Sequence, residues 1–329
     1  MGFLLSLFLG LLPMLVFAWV IYWLDRYEKE PLLLLGGVFL WGAIGAATAA
    51  FVVNTIFGVG VYLFTSSEAA TDLATGTLIA PVVEETLKGL AVLTVFLLAR
   101  NEFDSYLDGI VYAGIVALGF AASENVYYIY SHGFLEGSYG GLLWVAFVRI
   151  FLVGWQHPFY TAFFGIGLAL ARMNRSAAVK VFAPLVGLAV GMLFHSLHNT
   201  IGSLINGLSG IAAEATFDWS GWSLMFVFIL WATARERSWI ASHLCEELDL
   251  GLISPAQYQT ACSAWAQTLA RITALMNGRF RVTNRFYQIC GELAHKKQQR
   301  QTLGEETGNS QRIELLRIEL TQLAHWATA

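Results

Sequence analysis

The chain has 329 residues, of which 57% are hydrophobic and 13% charged, with a formal net charge of -4 at pH 7. Soluble domains carry about 25% charged residues, so the composition excludes an ordinary soluble protein, and the slightly acidic balance argues against a nucleic-acid partner. Cys245, Cys262 and Cys290 all lie in the last third, at spacings that fit neither a zinc ribbon nor a disulfide framework, so they read as free thiols in a reducing compartment.

The N-terminus has no basic n-region and no convincing A-x-A site. Its apolar run from Phe3 to Leu24 is too long for a signal-peptide core and reads as a retained first membrane span. A bilayer core of about 30 Å takes about 20 apolar helical residues. Seven stretches meet that need: 3–24, 31–64, 74–99, 109–131, 141–171, 179–208 and 219–234. The second is long and uncharged, so it is tilted, extended past the bilayer, or broken near Gly58-Val-Gly60.

The loops set the orientation. Arg26 and Lys29 follow the first span, Arg100 the third, Arg172, Arg175 and Lys180 the fifth, and Arg235 and Arg237 the seventh. The intervening loops 65–73, 132–140 and 209–218 hold no lysine or arginine. By the positive-inside rule the N-terminus is outside and the C-terminus cytoplasmic. The fold class is therefore all-α, a polytopic transmembrane helical bundle with a small helical cytoplasmic C-terminal module. Composition turns polar near residue 235, which divides the chain into a membrane-embedded domain, 1–238, and a cytoplasmic helical tail, 239–329. In the tail, Ser254-Pro255 reads as an N-cap and first-turn proline of a helix reaching about Asn277. Helices over about 282–301 and 311–327 follow, separated by the loop TLGEETGNS at 302–310.

Ionisable groups inside the spans are costly and ask for a reason. The third span contains APVVEETLKGL, with Glu84 at i,i+4 and Glu85 at i,i+3 from Lys88. One lysine cannot fully neutralise two acids. A carboxylate is left over, buried, as a general base or acid requires, whereas a purely structural ion pair needs one acid. The fourth span contains Glu124 and Asn125, about 100° apart on a helix. A lone Glu124 reads equally well as a carboxylate facing a hydrated vestibule. The fifth holds Arg149 near its outer end and His157 at depth, followed by Pro158, which frees a backbone carbonyl and is expected to kink the helix. The sixth contains GMLFHSLHNTIG, where His195 and Asn199 share a face and His198 is partly on the same side. At 1.5 Å per residue, Glu84 lies about 15 Å, Glu124 about 10 Å, and His157 and His195 roughly 20 Å from the outer ends of their spans. All four fit one hydrated layer.

Two carboxylates and two histidines around one cavity suit water activation. In one version Zn2+ takes His157, His195 and a glutamate, Glu84 or Glu124, and leaves a fourth position for water. In the other no metal is present, Glu84 is the general base, and the histidines with Asn199 hold the water and the oxyanion. The spans contain no HExxH, no GxSxG and no cysteine nucleophile.

These residues resemble the PrsW family of bacterial intramembrane proteases, within the wider group that includes the CAAX prenyl endopeptidases. The EExxK motif stands at Glu84-Glu85-Thr86-Leu87-Lys88, FxxxEN at Phe120 to Asn125, a central histidine at His157, and HxxxN at His195 to Asn199, over roughly 75–205. The resemblance implies a multi-pass endopeptidase of the bacterial plasma membrane that cuts membrane-protein substrates near the outer face, with site-1 cleavage of an anti-sigma factor as the family's association. It implies a core site of Glu84, Glu85, His157 and His195, with Lys88, Glu124, Asn125 and Asn199 in support, and a metalloprotease or glutamate mechanism. The tail lies outside the motif-bearing core and is expected to regulate activity or bind a cytoplasmic partner. An ion- or proton-coupled transporter predicts inverted repeats, and no clear repeat is present. A non-catalytic sensor or scaffold does not require the intact motifs.

Overall fold

The computed structural model describes residues 1–306 and 308–329, and these are helical with no strand among them. The residues that crowd its outside are apolar. Phe51, Ile56, Leu63 and Phe64 on one helix, Val181, Phe182 and Leu185 on a second, and Leu224, Val227 and Leu230 on a third are all exposed. Contiguous apolar surface of this extent is compatible with lipid and not with water. Four helical stretches, the third of them interrupted before Gln156, are long and apolar enough to cross a membrane: Gly2–Leu24, Leu32–Thr65, Tyr106–Arg172 and Ala177–Leu204. The chain is an all-α membrane helical bundle.

In chain order the elements are α1 (Gly2–Leu24), α2 (Leu32–Leu40), α3 (Ala47–Thr65), α4 (Glu68–Ala74), α5 (Ala80–Leu98), α6 (Tyr106–Tyr128), α7 (Leu135–Phe147), α8 (Gln156–Arg172), α9 (Ala177–Leu204) and α10 (Gly207–Asp249), then α11 (Pro255–Ala261), α12 (Ala264–Met276), α13 (Phe280–Leu303) and α14 (Asn309–Ala324). Wider π-helical segments join α2 to α3 (Trp41–Ala46), α4 to α5 (Thr75–Ile79), and α6 to α7 (Ile129–Phe134), and one follows α7 (Val148–Leu152).

The centre of the bundle is α6, buried almost continuously from Leu107 to Ala122. It begins with a capping box, in which Ser105 accepts from the Asp108 amide and the Asp108 carboxylate accepts from the Ser105 amide. Helix α8 crosses it where Gly109 meets Gly165. A Cβ on Gly109 would lie 2.2 Å from the Gly165 carbonyl oxygen, and one on Gly165 2.0 Å from that of Gly109. Only glycine permits this approach, which is the small-residue packing expected between helices in lipid. The crossing sets α8, and His157 with it, at a fixed height against α6.

Three sequence expectations are corrected. The second span is not broken at Gly58-Val-Gly60. Helix α3 runs through it, and the irregularity lies at Trp41–Ala46, where Gly42 is pressed against the Val116 carbonyl of α6. The stretch 141–171 is not one helix, because α7 ends in the π segment and α8 starts afresh at Gln156. Pro158 therefore sits in the first turn of α8, where a missing N–H costs nothing, and does not kink a helix. The tail helix expected over 255–277 is two, α11 and α12, divided where Ser263 caps α12 by accepting from the Ala266 amide.

The last helices pack around α13, whose Phe286, Ile289 and Leu293 are fully buried with Tyr27 from the loop after α1. Three consecutive α13 residues tie it to three neighbours. His295 pairs with Glu28 and Asp104, Lys296 bonds Asp104 at 2.7 Å, and Lys297 bonds Glu247 of α10 at 2.6 Å.

Candidate active site

The polar residues of the apolar spans converge. Helix α5 supplies Glu84, Glu85 and Lys88, α6 supplies Glu124 and Asn125, α8 supplies His157, and α9 supplies His195. All seven are buried or nearly so.

Lys88, wholly buried, decides between the two acids. Its Nζ lies 2.6 Å from Glu85 Oε1 and 4.0 Å from Glu84 Oε2. Glu85 is further held by the Thr161 hydroxyl, which donates to Oε2 at 2.7 Å, and by His195 Nδ1 at 2.9 Å from Oε1. Its partners thus come from α5, α8 and α9. The aromatic face of Phe120 covers the same ammonium at 4.4 Å, a favourable cation–π placement. Glu84 is the acid left over. Its Oε1 accepts only a long bond from Asn54 at 3.4 Å, and its Oε2 is buried with no hydrogen-bond partner. Leaving a buried carboxylate oxygen unpaired is expensive, and at a pocket it marks a place where a ligand or water belongs.

The carboxylate of Glu85 accepts the Nδ1 proton of His195, so the lone pair of that imidazole is on Nε2, 3.8 Å from Glu84 Oε2. A carboxylate behind a histidine fixes its tautomer and ring orientation. Tyr160 stacks on the ring with centroids 5.1 Å apart, and Tyr160 itself donates to Asp218. His157 is different, since both its nitrogens are engaged. Lys88 Nζ stands 3.2 Å from Nδ1, and Glu124 Oε2 stands 2.8 Å from Nε2. Arg149 reaches both residues of the EN pair, donating to Glu124 Oε2 at 2.5 Å and to Asn125 Oδ1 at 2.7 Å.

Two further residues of α9 at the cleft have partners of their own. Asn199 does not face the histidine pair as a ligand; its Nδ2 donates to the Gly76 carbonyl at 2.8 Å, and Ser196 donates to that of Thr77. Both carbonyls belong to the π segment before α5, whose widened register leaves acceptors for side chains. Asn199 thereby fastens α9 to the root of α5. His198 turns to Asp218, 3.0 Å away, and supports the Tyr160 contact from behind. Sequence reasoning missed Asn54, Thr161 and Asp218, and left Arg149 without a role. Asn54 carries a readable signal, an amide in an otherwise uncharged span.

A cleft of about 990 Å³ opens onto this cluster, bounded by α3, the π segment at Thr75–Ile79, α6, α9 and the start of α10. Glu84, His157 and His195 each offer a ligand atom, and these atoms lie within 4.8 Å of one another. The donor set fits a metal ion in part. His195 Nε2 has a lone pair and Glu84 Oε2 is unpartnered, but His157 offers a lone pair only if Lys88 withdraws from Nδ1.

Fold and site together define an integral-membrane helical protein with a buried constellation of carboxylates and histidines. The family model described as PrsW family intramembrane metalloprotease matches residues 30–233, and the chain belongs to that family. It is similar to the protease PrsW of Geobacillus kaustophilus, 32% identical over 124 residues, which is 38% of this chain and 52% of the relative. That of Clostridioides difficile is 36% identical over 124 residues (37% and 50%), and that of Bacillus subtilis 27% identical over 222 residues (68% and 88%). The chain thus spans about half the length of the first two relatives. No solved structure matches.

Proposed function

We propose that the chain is an intramembrane endopeptidase, with Glu84 as the group that activates water. The observation that carries this reading is the unpartnered Glu84 Oε2, buried at the cleft and 3.8 Å from the lone-pair nitrogen of His195. Water between these atoms gives its proton to Glu84 as its oxygen attacks the scissile carbonyl carbon. The developing oxyanion lies toward Arg149, which lines the same cleft and has N–H groups beyond those it gives to Glu124 and Asn125. Collapse of the tetrahedral species breaks the C–N bond, and Glu84 returns the proton to the departing amine. The volume of the cleft, about 990 Å³, accommodates an extended peptide segment entering from the side of α3 and α10.

Zn2+ bound through His195 Nε2 and Glu84, with His157 or Glu124 completing the set, would lower the pKa of bound water and polarise the carbonyl. Glu85 holds His195 in place under either scheme, and Lys88 holds His157 in the scheme without a metal. The topology that goes with this reading has seven spans, the N-terminus outside, the C-terminus cytoplasmic and a tail beyond about residue 238, in a bacterial plasma membrane. The substrate is a membrane protein, and single-pass anti-sigma factors are the first candidates.

The test is co-expression with a panel of single-pass membrane proteins, anti-sigma factors first, followed by immunoblot for shortened products. Cleavage that disappears in Glu84→Ala and in His195→Ala, at equal protein amounts, supports the reading. Cleavage that persists in both variants assigns the activity elsewhere and removes it.

A further inference from the structure

Helix α12 is built with its apolar side outward. Gln267, Ala270 and Ala274 are buried against the C-terminal core, whereas Trp265, Leu269, Ile272 and Met276, spaced i, i+4, i+7 and i+11, form the opposite face. Trp265 is 70% and Met276 83% exposed, which water would not tolerate as a continuous stripe. The same helix borders a cleft of about 1070 Å³ whose other wall is the end of α1 and the start of α2. On that wall stand Trp23 and Leu32, both exposed and in line with the lipid-facing surface of the spans. Of the apolar face of α12, Ile272 lines this cleft together with Trp23 and Leu32, so the helix stands beside the turn between the apolar helices α1 and α2.

The cleft is lined by both signs, since Glu28, Glu30, Glu102 and Glu292 stand on its wall as well, but three of its cations lie apart from them. Arg26, Lys29 and Arg271 line it, and among the described residues none has an acidic oxygen within 4.0 Å. Lys29 donates to the backbone carbonyls of Tyr22 and Asp25, Arg26 lies 3.2 Å over the Trp23 ring, and Arg271 donates to Gln267 at 3.0 Å. The Nε of Arg271 is buried with no partner. Guanidinium forks with spare donors beside a membrane surface match a phosphate group.

We propose that α12 lies in the headgroup layer of the leaflet on the tail's side, and that the cleft between α1 and α12 holds the phosphate of an anionic phospholipid through Arg26, Lys29 and Arg271. An amphipathic helix with a tryptophan at its rim and basic residues beside it has the composition of an interfacial anchor. Arg279 and Arg281, exposed just after α12, extend the basic margin. The proposal is independent of the chemistry at Glu84 and of which side of the membrane the tail occupies.

The experiment uses the full chain with Cys245→Ser and Cys262→Ser, keeping the buried Cys290. Ile272→Cys, Met276→Cys or Asp249→Cys is added singly and labelled with a nitroxide, in nanodiscs of phosphatidylcholine with phosphatidylglycerol. Asp249 ends α10 about 21 Å beyond Arg235 by helix geometry and reports on water. Power-saturation spectra are expected to show labels at 272 and 276 relaxed by oxygen and shielded from a water-soluble nickel chelate, with the reverse at 249. Equal exposure of all three to the chelate overturns the interfacial placement. Native mass spectrometry of the chain released from the same discs reads the headgroup site. Retained phosphatidylglycerol that is lost in Arg26→Gln/Arg271→Gln, with the oxygen profile at 272 kept, supports the site. Equal retention by that variant and the parent chain overturns it.

Discussion

Replacing Glu85 by glutamine tests how Lys88 divides the two acids. Glutamine keeps the shape: its carbonyl oxygen can still accept from Lys88 and His195, now 2.6 and 2.9 Å from Glu85 Oε1, and its amide can face the Thr161 hydroxyl. Only the charge is removed. An ammonium with no exposed surface then lacks its partner, a loss of roughly 3–5 kcal/mol for a buried pair. Glu84, 4.0 Å away, recovers part of this by moving onto Lys88, which closes the one free carboxylate. Glu85→Gln is therefore expected to be about 3 kcal/mol less stable and to lose cleavage. Adding Lys88→Met removes the stranded charge and releases Glu84. The double variant should regain most of the stability and some cleavage, remaining at least about 10–100-fold below the parent because His195 has lost its anionic support. Unfolding of the purified chain in mixed micelles of rising SDS fraction gives the stabilities, and immunoblot of a cleaved substrate gives the activity. A double variant no more stable than Glu85→Gln alone would refute the assignment of Lys88 to Glu85.

Arg149→Met removes the clamp on Glu124 and Asn125, and cleavage should fall by about 10–100-fold with the protein still accumulating in the membrane; unchanged cleavage would exclude Arg149 from the site. Gly165→Ala places a Cβ 2.0 Å from the Gly109 carbonyl oxygen, which forces α6 and α8 apart at about 1–3 kcal/mol and is expected to lower both stability and cleavage; a variant as active as the parent would show that the crossing is not tight. Where the tail meets the core, burial and then the neighbouring Asp104 raise Glu28 to about 7, and burial raises Asp25 to about 6. His295 is raised too, because Asp104 and Glu28 outweigh the burial that opposes its charge. A group raised on folding contributes stability that is complete below its ordinary value and lost as pH climbs through the folded one. Asp104 is lowered, since Lys296 and His295 outweigh its burial, and has the opposite sign below about pH 4. Protection of the α13 amides from hydrogen exchange, corrected for the intrinsic rate, should be greatest near pH 4 and decline from there through pH 7; a rise over that interval would contradict this cluster.

Much of the site is legible in the sequence because charge inside an apolar span has few bland explanations. The spacing of Glu84, Glu85 and Lys88 shows that one acid is left over. It cannot show which, because the choice is made by Thr161 and His195, which reach Glu85 from helices far along the chain. The roles of Asn199 and His198 were illegible for a related reason. Sharing a face with His195 brings them near the site, but their partners are a carbonyl of a π segment and Asp218, and neither register nor pairing is written in local spacing. Likewise Pro158 reads as a kink when 141–171 is taken as one helix and as a helix start once the chain is seen to break before Gln156. The all-α membrane character was readable by length and apolarity alone, whereas the outward apolar face of α12 is indistinguishable in sequence from a core-facing one. Only the burial of Ala270 and Ala274 on the other side gives its direction.

The hydrogen bonds of His157 bear on the choice between a metal and a bare glutamate. An ammonium can only donate, so Lys88, 3.2 Å from Nδ1, requires the lone pair there and leaves the proton on Nε2, which goes to Glu124 at 2.8 Å. In that state His157 has no lone pair for an ion, and Lys88 adds a positive charge beside the place a cation would occupy. Lys88→Met frees Nδ1 to carry the proton and Nε2 to ligate. If a divalent ion competes with this lysine, elemental analysis of the purified chain should find more zinc per protein in Lys88→Met than in the parent, and the excess should vanish when His157→Ala is added. Zinc at one equivalent in both the parent and Lys88→Met, and lost from the parent in His157→Ala, would contradict this tautomer, because the parent histidine would then already be ligating through Nε2 with the lysine in place.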